Sequence, residues 1–164
     1  MTLDEVVEKI SSYGIDLVEL TGGEPLAQPA AFPLMDQLLK KGFKVLVETG
    51  GSEPIAAVPK GVHVIMDIKC PDSLMDSKNL PDNLNHLKES DEIKFVVASR
   101  KDFDWAVQHA HENSLWKRCL VNFSPAWGLV NPKDLSDWMV HGKIEGRLNL
   151  QIHKYIWSPK AKGV

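Results

Sequence analysis

The sequence predicts an α/β fold in which parallel strands form a sheet or a partial β/α barrel. Six apolar, strand-like segments alternate with helical segments, which is the pattern of repeated βαβ units. Polar residues also gather just after the carboxyl end of nearly every strand, where parallel α/β folds bind their ligands. No Ser- or Gly-rich linker interrupts the 164 residues, so we expect a single domain spanning 1–164.

The first helix is predicted by a capping box and by helical periodicity. Thr2 and Glu5 have capping-box spacing, apolar residues recur at i, i+3, i+4 and i+7 from Leu3 to Ile10, and Gly14 ends the helix. The same criteria place the other elements. The predicted strands are 16–20, 44–48, 62–66, 92–97, 118–123 and 148–151, the predicted helices are 31–41, about 103–110 and about 132–139, and 72–85 is predicted to be a loop.

Composition and charge exclude several classes of function. A net charge of −3 offers no general attraction to nucleic acid or to an anionic membrane. No apolar run approaches the roughly 18 residues of a membrane span, and the acidic, amphipathic N-terminus does not resemble a signal peptide. We therefore expect a cytoplasmic protein.

The chain has two cysteines, Cys70 and Cys119, and neither has the spacing of a metal ligand. An iron–sulfur cluster needs three or four thiolates, so this chain cannot build one alone. We interpret Cys70 as a small, half-buried thiol and Cys119 as a core residue. His109 and His111 lie on a predicted helix without metal spacing and are interpreted as part of a solvated face.

The polar residues at the strand ends predict a single ligand site. Carboxyl ends of neighbouring parallel strands meet at one edge of a sheet, whereas the amino ends of these strands carry plain turns. The strand-end residues are Thr21, Glu24, Glu48, Thr49, Asp67, Lys69, Ser99, Asn122, Ser124, Gln151 and His153.

Thr21-Gly22-Gly23-Glu24-Pro25 is the most specific of these strand ends. Two glycines allow the backbone to approach a ligand closely, and backbone N–H and C=O groups of such a turn can hold an amino-acid ammonium and carboxylate. The alternative interpretation is an ordinary turn with Glu24 near a helix N-terminus. Glu48 also has two interpretations: its carboxylate can bind both hydroxyls of a ribose, or it is a solvated charge.

Two further pairs are predicted to share a face. Asp67 and Lys69 alternate around Ile68 and either hold a ligand or pair with each other. Gln151 and His153 alternate on the predicted last strand, so both can face one site. His153 either hydrogen-bonds a heterocycle or carboxylate or is satisfied by backbone.

These segments together resemble a known family. Thr21 to Pro25 resembles the GGEP motif of radical S-adenosylmethionine enzymes, and 47–51 is similar to that superfamily's second signature. The segments 66–71, 122–125 and 150–155 are similar to the remaining strand ends of 7-carboxy-7-deazaguanine synthases. The resemblance covers essentially the whole chain and implies a partial β/α barrel whose first βα unit is missing.

The resemblance also implies an activity and a distribution of roles. The activity is that of a carbon–nitrogen lyase of queuosine biosynthesis: ring contraction of 6-carboxy-5,6,7,8-tetrahydropterin to 7-carboxy-7-deazaguanine, with release of ammonia. S-adenosylmethionine, a [4Fe–4S] cluster and Mg²⁺ are the implied cofactors. The implied cofactor-binding residues are Gly22, Gly23, Glu24, Glu48, Thr49, Asp67, Lys69, Asn122 and Ser124, and the implied substrate-binding residues are Thr21, Gln151, His153 and Pro159.

The family's CxxxCxxC loop, which follows its first strand, is not in this sequence. We therefore expect the chain alone to be inactive and to bind neither cluster nor Mg²⁺, and we expect its first strand to be an exposed edge that favours a homodimer. Three alternatives remain: another radical subfamily such as a glycyl-radical activase, a cluster-less ligand-binding module, and a phosphate-binding barrel in which Gly22 and Gly23 cradle an anion.

Overall fold

The computed structural model describes residues 1–161 and contains one six-stranded, all-parallel sheet. The strands lie side by side in the order in which they occur in the chain. Within the described residues the first and last strands each have one neighbour, so the sheet is open, as a partial barrel requires. The strands are β1 Leu17–Leu20, β2 Lys44–Thr49, β3 His63–Ile68, β4 Glu92–Val97, β5 Leu120–Pro125 and β6 Arg147–Leu148.

Helices connect most of the strands. The α-helices are α1 Leu3–Ser12, α2 Ala31–Lys40, α3 Arg100–Glu112, α4 Pro132–His141 and α5 His153–Ile156. Short 3₁₀ helices occupy Pro25–Ala27, Pro71–Ser73, Asp76–Lys78, Pro81–His86 and Leu115–Lys117. The predicted loop 72–85 is therefore a chain of three such turns. None of the helices in residues 1–161 is both long enough and apolar enough to span a bilayer.

The capping box predicted for α1 is confirmed. The Thr2 hydroxyl accepts a hydrogen bond from the Glu5 N–H at 3.2 Å, and the Glu5 carboxylate accepts one from the Thr2 N–H at 2.7 Å. These two bonds satisfy backbone donors that a helix N-terminus would otherwise leave free. The helix therefore starts where the sequence places it.

The two faces of the sheet differ because side chains alternate along each strand. One face is apolar and lies against the helices, with Phe95 and Phe123 stacked at its centre at 5.7 Å between ring centroids. The opposite, inner face is only partly covered and presents alternate residues such as Glu48, Asp67 and Lys94. Most parallel sheets bury apolar residues on both faces. The charged inner face is thus the feature that calls for a functional explanation.

Two buried aspartates fix the strands and loops relative to one another. The Asp91 carboxylate accepts hydrogen bonds from the N–H groups of Val64 and Lys88, both at 2.9 Å. The Asp102 carboxylate accepts from the N–H groups of Asp72 at 3.0 Å and Ala98 at 3.1 Å. Both aspartates are fully buried, so these bonds replace water that the backbone groups cannot reach.

The prediction for the last strand is wrong. β6 spans only Arg147–Leu148 and pairs with Asn122 and Phe123 of β5. Asn149 still donates to the Phe123 carbonyl at 2.8 Å, after which the chain turns away into α5. Gln151 and His153 therefore do not alternate on a strand. The apolar–polar alternation of 148–153 is that of a strand, but the chain leaves β5 after Asn149 although β5 itself continues to Pro125.

We predict that Asp91→Ala destabilises the fold strongly. The substitution leaves two buried N–H groups and the Lys88 ammonium, which lies 2.8 Å from the carboxylate, without their acceptor. The free energy of unfolding, measured by urea denaturation, should fall by about 3 kcal/mol. The matched control is Asp104→Ala, which removes an exposed ion pair with Arg100 and should cost less than about 1 kcal/mol. Equal losses in the two variants would contradict this role for Asp91.

Candidate functional site

The turn after β1 is tied to the end of β2 by Glu24. One carboxylate oxygen accepts hydrogen bonds from the Thr49 hydroxyl at 2.8 Å and the Leu26 N–H at 3.1 Å. The other oxygen accepts from the Gly50 N–H at 2.8 Å. Parallel pairing of β1 with β2 brings the two strand ends side by side. Glu24 therefore braces the strand tips from within, and it also caps the 3₁₀ helix that follows.

Gly22 and Gly23 occupy the exposed bend of this turn. Their φ angles are +88° and +59°, in the region that residues with a Cβ rarely adopt. A Cβ built on either residue would meet no atom within 4 Å. The positive φ angles, rather than crowding by neighbouring atoms, require glycine at these two positions. The space beside this turn is therefore open.

Charged side chains of three neighbouring strands meet on the inner face. Lys94 forms an ion pair with Glu48 and lies 3.1 Å from an oxygen of Asp67. Lys69 lies 3.4 Å from the other Asp67 oxygen, and the Thr21 hydroxyl is 3.4 Å from the second oxygen of Glu48. We call these five residues the inner-face network. It brings together four of the residues predicted from the strand ends: Thr21, Glu48, Asp67 and Lys69.

Lys94, at the centre of the inner-face network, is the residue that sequence reasoning missed. It lies within β4 rather than at a strand end, and its side chain is 16% exposed. Register places it opposite Asp67 of β3 and Asn122 of β5. The available signal was Glu92 and Lys94 alternating with Ile93 and Phe95, which is unusual in a strand with two parallel neighbours.

The inner-face network keeps Lys94 positively charged, and carboxylates outnumber ammonium groups around it. Burial by itself would lower the pKa of Lys94, but the charge of Asp67 and the hydrogen bond and charge of Glu48 outweigh it and raise that pKa. Burial raises the pKa of Glu19, the negative charge of Glu48 raises it further, and Lys94 opposes both. Four carboxylates and two ammonium groups lie at or near this end of β1 to β4, and their net negative charge favours a cationic ligand. These groups are Glu19, Glu24, Glu48 and Asp67, with Lys69 and Lys94.

Asn122 lies level with Lys94 but is bonded to a second polar group, which lies nearer the amino ends of the strands. Its amide donates to the Glu92 carboxylate at 2.7 Å, and the other Glu92 oxygen lies 3.2 Å from a ring nitrogen of His63. Ser124 lies two residues nearer the strand end and is buried. The structure therefore assigns internal contacts to both Asn122 and His63.

The residues after β6 do not join the inner-face network. His153 is exposed on α5, Pro159 is exposed in a turn, and no hydrogen bond or ion pair among residues 1–161 links either to the network. The side-chain oxygen of Gln151 is buried and has no hydrogen-bond partner among the described residues. Tyr155 packs edge-on against Trp127 at 4.8 Å between ring centroids, so this segment is held by the loop after β5. Lys162, in the basic C-terminal segment of the sequence, lies outside the described residues.

The cysteines lack the character of cluster ligands. Burial, followed by the charge of Asp102, raises the pKa of Cys70 to about 12, and burial raises that of Cys119 to about 11. Cys70 is more buried than predicted, at 1% exposure, and Cys119 is only partly buried. In the part of the chain that the structure describes, no three His, Cys, Asp or Glu residues are placed to hold a metal ion.

A small cavity of about 170 Å³ lies beneath the 3₁₀ turns that precede β4, and Asp67 is the one residue of the inner-face network in its lining. Its apolar wall includes Met66, Leu80 and Leu84, and one side is closed by His109. The prediction of a solvated face for His109 is wrong: its ring stacks on Trp105 at 4.9 Å, and burial lowers its pKa. The cavity is smaller than typical ligand sites, and we place the candidate site at the charged strand tips instead.

The fold and the site define an α/β enzyme of the partial-barrel class. No protein-family model matches the chain. A 7-carboxy-7-deazaguanine synthase from Koribacter versatilis is 40% identical over all of this chain and 79% of the relative, and one from Chlorobaculum tepidum is 38% identical over all of this chain and 76% of the relative. The chain therefore belongs to the 7-carboxy-7-deazaguanine synthase family.

A solved structure agrees with the fold. The crystal structure of QueE from Escherichia coli superposes with a TM-score of 0.72 at 21% identity, covering 92% of this chain and 64% of that chain. The partial-barrel prediction is confirmed by this likeness and by the open parallel sheet. The family recognised from the strand-end motifs is confirmed by the relatives.

Proposed function

We propose that the complete enzyme containing this chain converts 6-carboxy-5,6,7,8-tetrahydropterin to 7-carboxy-7-deazaguanine in a radical S-adenosylmethionine-dependent ring contraction that releases ammonia. Membership of the family supports this assignment. The observation that supports it most directly is the meeting of Thr21, Glu48, Asp67 and Lys69 at adjoining strand tips.

S-adenosylmethionine fits the residues of this site. Its sulfonium and ammonium groups are cationic, and the strand tips hold an excess of carboxylates. We assign the methionyl group to the open turn at Gly22 and Gly23, the ribose hydroxyls to Glu48, and the cofactor carboxylate to Lys69. Held there in a cluster-bearing enzyme, the cofactor would supply the radical chemistry that starts the reaction, with one electron coming from the cluster.

The other predicted cofactor residues have supporting roles. Glu24 and Thr49 bond each other and so fix the geometry of the methionyl turn. Asp67 orients Lys69, while Asn122 and Ser124 lie on β5, on the far side of β4. For the substrate we propose Thr21, His153, Pro159 and Gln151, whose unpartnered oxygen is suited to accept a hydrogen bond from a heterocycle N–H.

The [4Fe–4S] cluster does not fit residues 1–161, and no three His, Cys, Asp or Glu residues among them are placed to hold Mg²⁺. Cys70 and Cys119 are two thiols where three are needed, and burial favours their protonated form. We therefore propose that this chain supplies the adenosyl and pterin sites and that it is inactive without a cluster-bearing segment. A cluster-less binding module is the second candidate, and the character of these two thiols favours it.

A chimera tests the assignment. A CxxxCxxC-bearing segment of a 7-carboxy-7-deazaguanine synthase is fused before Met1, and the protein is reconstituted with iron and sulfide. We expect a brown protein that forms 7-carboxy-7-deazaguanine, and we expect His153→Ala to lower kcat/KM for the pterin roughly tenfold while changing cofactor cleavage less than twofold. The matched control is His141→Ala on the exposed end of α4, which should leave both activities unchanged.

Four results would count against this account. A colourless chimera would favour the binding-module candidate, and a chimera that cleaves the cofactor without forming product would favour another radical subfamily. Equal loss of both activities in His153→Ala would remove His153 from the substrate site. If inorganic phosphate displaces bound S-adenosylmethionine, the phosphate-binding barrel would be favoured.

We further propose that the protein is cytoplasmic and that two copies associate through β1. The free edge of β1 lies beside the exposed apolar side chains of Tyr13, Ile15 and Leu17. Sedimentation velocity over a range of concentrations should show a dimer that Leu17→Lys weakens at least tenfold. The control Leu129→Lys changes a leucine elsewhere that is still more exposed, at 71% against 54% for Leu17. A monomer at every concentration would contradict the proposal.

A further inference from the structure

Lys94 holds a position that none of the strand-end motifs includes. Its ammonium bridges Glu48 of β2 and Asp67 of β3 from the middle of β4. The Asp67 contact, at 3.1 Å, is an ion pair without the angle of a directed hydrogen bond, whereas the Glu48 contact is a hydrogen bond. Lys94 is the least exposed charged member of the inner-face network, at 16%.

The ion-pair bridge lowers two energetic costs of the site: the repulsion between Glu48 and Asp67 and the rotamer freedom of Glu48. Glu48 and Asp67 are carboxylates on neighbouring strands, and without a cation between them they would repel each other in a half-buried setting. A glutamate side chain also has several rotamers, and a ligand that binds it must stop their exchange. A cation fixed by the sheet removes both costs before a ligand arrives.

The two oxygens of Glu48 have different partners. One is held by Lys94. The other is 3.4 Å from the Thr21 hydroxyl at the strand tips, a long contact that a better donor can replace. The oxygen that faces the tips is therefore the one available to a ligand hydroxyl.

We propose that Lys94 is a positioning residue of the adenosyl site, holding Glu48 so that its free oxygen accepts hydrogen bonds from the ribose. This inference rests on the proposed function, because it takes Glu48 as the ribose acceptor. Lys94 acts through Glu48 and need not touch the ligand. A purely structural ion pair would stabilise the fold but would not change which ligand the site prefers.

The test measures coupling between Lys94 and the ribose hydroxyls. S-adenosylhomocysteine and its 2′-deoxy counterpart are titrated into the chain by ligand-observed NMR. For the unmodified chain we expect about tenfold weaker binding of the 2′-deoxy ligand, the effect of one hydrogen bond to a charged group. In Lys94→Met the preference should shrink to less than twofold, as it should in Glu48→Gln, because both variants lose the positioned acceptor.

Three further variants keep the result interpretable. Lys94→Gln retains a hydrogen-bond donor without the charge and should behave as Lys94→Met does, whereas Lys94→Arg should restore at least part of the preference. Lys117→Met removes an exposed lysine and should leave the tenfold preference unchanged. Circular dichroism confirms which variants are folded.

The possible failures are distinct. A full tenfold preference in folded Lys94→Met or Lys94→Gln would overturn the inference and leave the proposed function standing. Unfolding of both variants would assign Lys94 to the fold rather than the ligand and would also overturn it. If the unmodified chain binds neither ligand, the proposed adenosyl site is wrong, and the role of Lys94 falls with it.

Discussion

The ion-pair bridge that Lys94 makes to Glu48 and Asp67 is the interaction on which the candidate site depends. Three parallel strands each place a charged side chain on the same half-covered face of the sheet. Isolated charges there would be costly, because burial disfavours them. Joined as a network, they are compensated well enough to remain charged, and the strand tips gain a fixed arrangement of acceptors and donors.

The brace formed by Glu24 complements this bridge. Lys94 fixes the strands from the middle of the sheet, and Glu24 fixes the turn after β1 to the end of β2 through Thr49 and Gly50. The GGEP segment thus has a structural role as well as the role that its resemblance implies. A Cβ built on Gly22 or Gly23 would meet no other atom. The turn is therefore held in place by Glu24 and still has open space beside its two glycines.

Much of the fold could be predicted from the sequence because its local signals agree with one another. The capping box of Thr2 and Glu5 sets the start of α1, and β4 has the bounds predicted from its apolar run. The last strand could not be predicted, because the chain leaves β5 after Asn149 to pack Tyr155 against Trp127, a tertiary contact that the composition of 148–151 does not reveal. His109 was likewise misjudged, since its burial against Trp105 is a tertiary contact.

The same distinction applies to the site. Thr21, Glu48, Asp67 and Lys69 were predictable because the ends of parallel strands must meet. Lys94 was not singled out because its importance comes from strand register, which places it opposite Asp67. The segment that contains His153 is fixed by Trp127 and Tyr155, and neither residue indicates a site in the sequence.

The most direct test of the central claim is to observe where an adenosyl ligand binds. Backbone amide resonances of the ¹⁵N-labelled chain are followed while S-adenosylhomocysteine is added. The account predicts that the largest shifts fall on Gly22, Gly23 and Gly50, at the tips that the bridge and the brace hold together. Shifts confined to the surface around Trp127, or to the cavity beside His109, would contradict it.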